Sequence, residues 1–406
     1  MHILTTVVGE RTGHWADLFA ALSDLPGVTL TVLAGDVPAR TARELDRLSR
    51  SRSTFRHFVM PHGWGGRRTG QTVPALLRLP RGHPARALRP DVVHVIGEAA
   101  DPSTWPALRW RNRYWPGTPV TLYPAQNVVP RFPSPFPLYE RYAYQQVNHA
   151  FPAIPTALEV LRTRGYRGPA TIVPLGVDTG LFTPSPVPRP ANRRFTAGFV
   201  GPLAPHTGVS DLLAAAERID CDVLLLVDGP LGAQVTLDAA RRPGRIHRQP
   251  WSSHTELPDL LARMDVLVVP AIEAVQRRVL PWMGLPLGEQ FGRVLVEAMA
   301  CGIPVIGSDV GGIPYVVGPA GLTFPAGDVT ALAAQLARLR DDPRLARDLA
   351  TAGVARATGE FCWPRIAASL SAVWRQLAQR PRFGLDDLLG GPREVRPALA
   401  RTGPVD

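Results

Sequence analysis

Twice along this chain a short run of apolar, often β-branched residues gives way to a helical pattern and then returns. A proline-rich break separates the two series. In the first, residues 3–8, 28–33, 91–96, 120–123 and 170–173 read as strands. Between the first two, residues 14–25 place Trp15, Leu18, Phe19 and Leu22 at helical spacing. The run 91–96 is apolar almost throughout, as in a strand covered on both faces of a parallel sheet. Residues 183–191 carry four prolines in nine positions and are expected to form a stiff linker. The alternation then resumes, with strands expected at 195–200, 222–227, 265–269 and 304–306 and a helix at 209–218. The expected fold class is α/β: two doubly wound, Rossmann-like domains, 1–182 and 192–362, facing each other across a cleft. The arginine- and proline-rich residues 380–406 are expected to be a frayed tail.

Composition narrows the function classes. With 45% hydrophobic and 19% charged residues, the 406-residue chain can fill two cores, and no apolar run is long enough to cross a bilayer. Residues 1–4 begin like a strand and not like the charged head of a signal peptide, so a cytosolic location is expected. The net charge of +11 would ordinarily suggest nucleic acid, but the sequence holds no lysine and its arginines are scattered among carboxylates. Residues 40–56 show this, with Glu44 and Asp46 between arginines. That reads as codon bias, and nucleic acid is not an expected partner. Cys221, Cys301 and Cys362 lack metal-ligand spacing and read as small packing residues.

The chemistry is concentrated at residues 288–309. Gly292 allows a tight turn, residues 293–300 form a short helix, Gly302 ends it, and Pro304 leads into a strand. A helix start after a glycine turn presents unpaired N–H groups, here those of Arg293, Val294 and Leu295, which suit a phosphate. Glu297, one turn inside, has a carboxylate able to accept two hydrogen bonds from a vicinal diol. Glu289, before the turn, would face whatever lies beyond the phosphate. The plainer reading is that Glu289 caps the helix electrostatically and that Glu297 pairs with Arg293 at i, i+4.

The run from Glu289 to Ala300, Glu-Gln-Phe-Gly-Arg-Val-Leu-Val-Glu-Ala-Met-Ala, resembles the Glu-x7-Glu motif of retaining nucleotide-sugar glycosyltransferases, family four of the glycosyltransferase classification, which have the GT-B fold. The stretches 126–133, 160–166, 173–178, 199–201, 227–230, 265–270 and 307–314 are similar to the family's other motifs, in the same order, so the likeness runs from about 90 to 375. The resemblance implies that Glu297 holds the nucleotide ribose and Glu289 contacts the transferred sugar. It also implies that the backbone of Phe291, Gly292, Arg293, Val294 and Leu295 binds the diphosphate, with Gln290 also on the donor side and Gly9 and Gly201 at the first turn of each domain. No metal and no further cofactor is expected; the leaving phosphate is stabilised by N–H groups and cations, with retention of anomeric configuration. A helix at 363–379 is expected to pack back on the first domain, as the family pattern and the spacing of Ile366, Leu370, Val373 and Trp374 suggest.

The departures are specific. Pro202 and Thr207 stand where the family has an arginine and a lysine on the diphosphate, and Glu10 replaces the second glycine after the first strand. Arg277 and Arg278, in a long segment before the donor loop, are candidates to replace the lost cations, as are Arg293 and Arg11. The plainer alternative is a solvated arginine pair. On the acceptor side His14 and Glu98 are candidate catalytic groups, and His94, Gln126 and Asn127 candidate acceptor contacts, because they lie at or after strand ends. A surface histidine, a loop carboxylate and a core histidine are the plainer readings of His14, Glu98 and His94. Trp105, Trp110, Tyr114 and Trp115 interleave with Arg109, Arg111 and Arg113, a pattern that fits a packing face better than a patch resting on a membrane. The expected function is transfer of a sugar from a nucleotide-diphosphate sugar to a small-molecule acceptor in bacterial glycoconjugate or specialised-metabolite synthesis. An oxygen nucleophile is the default and a small thiol an option. The alternative is a degenerate protein of the same fold that binds or scaffolds.

Overall fold

Strand after strand pairs in parallel because the connections between them are helical crossovers that cover both sheet faces. The structure, a computed structural model, describes residues 1–9, 15–61, 77–129, 134–187, 193–226, 229–250, 253–276 and 285–379. The first half contains β1 (His2–Val8), β2 (Thr29–Gly35), β3 (Phe55–Met60), β4 (Val92–Ile96), β5 (Val120–Tyr123) and β6 (His149–Ala150). They form one sheet in the order β3-β2-β1-β4-β5-β6. The second half contains β7 (Thr196–Val200), β8 (Asp222–Leu226), β9 (Ile246–Gln249), β10 (Val266–Val269), β11 (Ala274–Gln276), β12 (Leu285–Leu287), β13 (Val305–Ser308) and β14 (Leu322–Phe324). Six of these make a second parallel sheet, β14-β13-β10-β7-β8-β9, and β11 and β12 form a separate antiparallel pair.

The strand orders place the reversal points at β1/β4 and at β7/β10, where doubly wound sheets open a crevice. The loops that leave β4, β5 and β13, and the loop before the helix Arg293–Ala300, lie at the carboxyl ends of the strands. The central strands are continuous buried runs: β2 is buried from Leu30 to Gly35 and β10 along its whole length.

Some expected elements differ. Residues 170–173 do not form a strand; Ala170 makes a single bridge to Ala150, and Thr171 N donates to Ala150 O at 3.0 Å. Proline at 169 and 174 confines this stretch to running alongside the two-residue β6. β3, β9 and β14 are edge strands with polar or exposed positions, so their apolar runs are broken and escape a pattern search.

The chain crosses back to its first half near residue 362. Val177 N donates to Phe361 O at 2.8 Å, and the helix Trp363–Ala378 then packs chiefly against the helix Ala16–Ser23. It buries Trp363, Ile366, Ala367, Leu370, Trp374 and Leu377 on one face.

Candidate active site

Gly292 caps the helix Arg293–Ala300 in the left-handed region, φ 76° and ψ 56°, where a side chain would be strained. That turn folds the preceding loop back over the helix start. Glu289 Oε1 there accepts hydrogen bonds from Gly292 N (2.9 Å) and Phe291 N (3.3 Å). The carboxylate thus occupies two of the amides that the family resemblance assigns to a diphosphate. The Glu289 carbonyl is held too, accepting from Gly312 N (2.9 Å) and, from the first half of the chain, Asn127 Nδ2 (2.8 Å). Gln290 Nε2 donates to Gln126 Oε1 at 3.3 Å beside it.

Glu297 is buried, with Oε1 3.1 Å from His254 Nε2 and 3.4 Å from Arg293 Nη2. The hydrogen bond to Glu297, and then its charge, raise the His254 imidazole above the ordinary histidine range despite burial. Asp17, on the first helix, lies near this cluster; burial raises its carboxyl while Arg293 and His254 pull it down. Arg293 Nε is buried with no partner among the described residues. Both glutamates therefore adopt the plainer arrangements, a helix cap and an i, i+4 pair. His254 had no signal in the sequence: it lies 43 residues before Glu297, in a loop.

The opposing loops carry the rest. Gly9 N donates to Gly35 O (2.9 Å) and Gly201 N to Leu226 O (3.2 Å), which fixes the first turn of each half. Thr207 Oγ1 lies 3.1 Å from Pro202 O and 2.7 Å from Ala204 O, so its hydroxyl closes its own loop and supplies no cation.

One sequence expectation needs correction. His94 is buried among Tyr123, Phe151 and Trp374, its ring 5.1 Å from that of Trp374, and presents no atom to an acceptor. Its Nδ1 lies 2.8 Å from Thr121 Oγ1, which also accepts from Trp374 Nε1 (3.2 Å). Burial lowers the imidazole pKa to about 3. The C-terminal helix supplies the cover, which strand-end position alone does not reveal. Glu98, a candidate base or acceptor anchor, accepts Ala125 N (2.8 Å) and Gln126 N (2.9 Å) through Oε1 and so holds the loop that carries Asn127. Burial and then Asp101 push its carboxyl up to about 8. His14, Arg277, Arg278, Arg11 and Glu10 lie outside the described residues, as do most of the linker and the tail from 380.

The aromatic–arginine stretch packs on itself: Trp105 stacks on Tyr139 at 5.5 Å, Arg109 lies 4.7 Å over Trp105, and Trp115 is buried. Among the described residues no helix is long and apolar enough to cross a membrane, and no group of three or more His, Cys, Asp or Glu is placed to hold a metal ion.

Two facing parallel sheets, each opening at its reversal point, with a glycine-capped helix start between them, define the GT-B class of fold. Solved structures share it over nearly the whole chain. Sucrose-phosphate synthase from Thermosynechococcus elongatus superposes with a TM-score of 0.69 at 20% identity, covering 93% of this chain and 99% of that one. HepE from Anabaena, solved with UDP, gives 0.66 at 15% identity over 92% and 99%. Residues 185–356 match the family model described as Glycosyl transferases group 1. Among curated relatives, MMP alpha-(1->4)-mannosyltransferase from Mycolicibacterium hassiacum is 36% identical over 219 residues, 52% of this chain and 49% of that protein. D-inositol 3-phosphate glycosyltransferase from Streptomyces bingchenggensis is 30% identical over 201 residues, 44% and 40%. The matches thus span about half the length of these relatives.

Proposed function

We propose that this protein transfers a glycosyl group from a nucleoside-diphosphate sugar to a small-molecule acceptor, with retention of configuration and without a bound metal. The observation that carries the reading is the anion already seated at the helix start: the Glu289 carboxylate on the Phe291 and Gly292 amides. A site that stabilises a carboxylate there suits the β-phosphate of a donor, and the neighbour HepE has been solved with UDP-glucose. In the reaction the bond from the anomeric carbon to the β-phosphate oxygen breaks and a bond from that carbon to the acceptor oxygen forms. The acceptor's proton leaves with the departing diphosphate.

Phe291, Gly292, Arg293, Val294 and Leu295 would hold the diphosphate through their amides. Glu297 would take the ribose in place of His254 or Arg293, and Glu289 the sugar. Arg293, with its buried unpartnered Nε, is the described arginine best placed to replace the cations missing at Pro202 and Thr207; Arg277 and Arg278 remain candidates. The acceptor side falls to Gln126 and the neighbouring loops, with an oxygen nucleophile, in a bacterial cytosol. A panel of UDP, GDP, ADP and dTDP sugars in a thermal-shift assay tests donor binding, since a ligand of the native state raises the melting point by mass action. Turnover in EDTA and a product anomer matching the donor test the chemistry; an inverted product or strict dependence on manganese contradicts it. The second reading, a degenerate binding or scaffold protein, is favoured by the loop that Thr207 closes on itself. It fails if the protein slowly hydrolyses a nucleotide sugar and Glu289→Gln lowers that hydrolysis, without abolishing it, by more than about tenfold.

A further inference from the structure

We propose that Asn127 is a positioning residue for Glu289, and that the loop bearing it, not an acceptor contact, is how the first domain reaches the donor site. This rests on the glycosyltransferase reading above. Asn127 Nδ2 donates to the Glu289 carbonyl at 2.8 Å, across 162 residues of chain. The same carbonyl accepts Gly312 N at 2.9 Å, so one bond comes from each half of the protein. The fit around it is close: a Cβ added at Gly311 would lie 2.1 Å from the Glu289 carbonyl oxygen and 2.9 Å from Asn127 Nδ2. Only a glycine lets the three segments meet. On the other side of residue 289 the carboxylate is tied to the Phe291 and Gly292 amides. Residue 289 is therefore pinned at its backbone by the first domain and at its side chain by the helix start.

When a donor diphosphate takes the helix amides, the side-chain anchor is lost. The backbone anchor remains, and it sets the point from which the freed carboxylate reaches the sugar. Asn127 is in turn held by its own loop, whose Ala125 and Gln126 amides are fixed on Glu98 at 2.8 and 2.9 Å. The Gln126–Gln290 contact at 3.3 Å runs beside it. The chain of contacts Glu98, loop 125–127, Glu289 thus transmits the position of the first domain to the carboxylate without a covalent connection.

The test uses the full chain and whichever of UDP-, GDP-, ADP- or dTDP-glucose stabilises the wild type, with hydrolysis to free sugar as the readout because it needs no acceptor. Asn127→Ala is expected to lower turnover at saturating donor on the order of 10- to 100-fold, the scale of a displaced catalytic group, while affinity for the nucleoside diphosphate changes less than about threefold. In a Glu289→Gln background the same substitution is expected to change turnover less than about threefold, because its effect runs through the carboxylate. Asn127→Ser, whose hydroxyl stops short of the carbonyl, should repeat the pattern and serves if the alanine variant folds poorly. Additive losses in the double variant, or a turnover at the wild-type level, would overturn the proposal. If no nucleotide sugar stabilises the wild type, the glycosyltransferase reading fails first and takes this one with it. If one does and Asn127→Ala behaves as wild type, only the role of Asn127 falls.

Discussion

At the scale of single residues, the two glutamates show how one local pattern serves two states. A carboxylate three residues before a helix start finds its amides, and a glutamate four residues after an arginine finds its guanidinium. Both contacts are present, and both use groups that a nucleotide sugar would also need. Removing the internal anion should therefore free the site: Glu289→Ala is expected to bind a nucleoside diphosphate several-fold tighter, about 1 kcal/mol, while sugar transfer falls more than about 100-fold. Calorimetric titration with UDP, GDP and ADP measures the first effect, and weaker binding of all three would refute it. His94 gives a pH prediction. Its folded pKa, about 3, lies below the ordinary histidine value of 6.5, so between those values the unfolded chain binds a proton the native state refuses. Stability is thus fully present above about 6.5 and drains away as pH falls, by roughly 2 kcal/mol from this residue by pH 5. Urea midpoints of wild type and His94→Gln should converge as the pH drops from 7.5 to 5; parallel curves would show that His94 is not buried neutral.

At the scale of elements, the central strands were readable because burial on both faces demands an uninterrupted apolar run. β3 and β9 were not, since an edge strand tolerates arginine and histidine on its open side, and β14 is only three residues long with an exposed threonine at its centre. The helix Trp363–Ala378 was readable from its apolar spacing, yet its use as the cover over His94 was not. Trp374 is fully buried and joins Phe151 and Thr121 as well as His94. Trp374→Ala should cost about 3–5 kcal/mol, the range for an emptied aromatic site. The loss should show as a lower urea midpoint and as earlier exposure of the first sheet in hydrogen exchange. Protection lost equally from both sheets would place the helix elsewhere in the cooperative unit.

At the scale of the whole molecule, two halves with separate sheets are joined by the return of the chain near residue 362 and by the amide contacts at Glu289. Gly176 sits at the return: a Cβ there would lie 2.5 Å from the Trp363 ring and 2.9 Å from Ile366 Cδ1. Gly176→Leu should push the C-terminal helix off its seat, with an overpacking cost of about 1–3 kcal/mol. Differential scanning calorimetry should then resolve two transitions, one per half, where the wild type shows one. A single transition merely shifted downward would mean that the return segment does not couple the halves.

What the sequence determined by itself is whatever short-range spacing fixes. The two β/α series, the proline break, the glycine turn at 292 and the helix behind it follow from backbone geometry and the periodicity of burial, which act over a few residues. The tertiary structure alone decided which partner each chemical group found. Asn127 meets Glu289 across 162 residues, His254 meets Glu297 across 43, and Trp374 meets Thr121 across 253. A carboxylate or an imidazole carries the same chemistry in any loop. Its pKa, its orientation and its availability to a ligand are set by the desolvation and hydrogen bonding that packing imposes, and packing brings together residues that no local pattern connects.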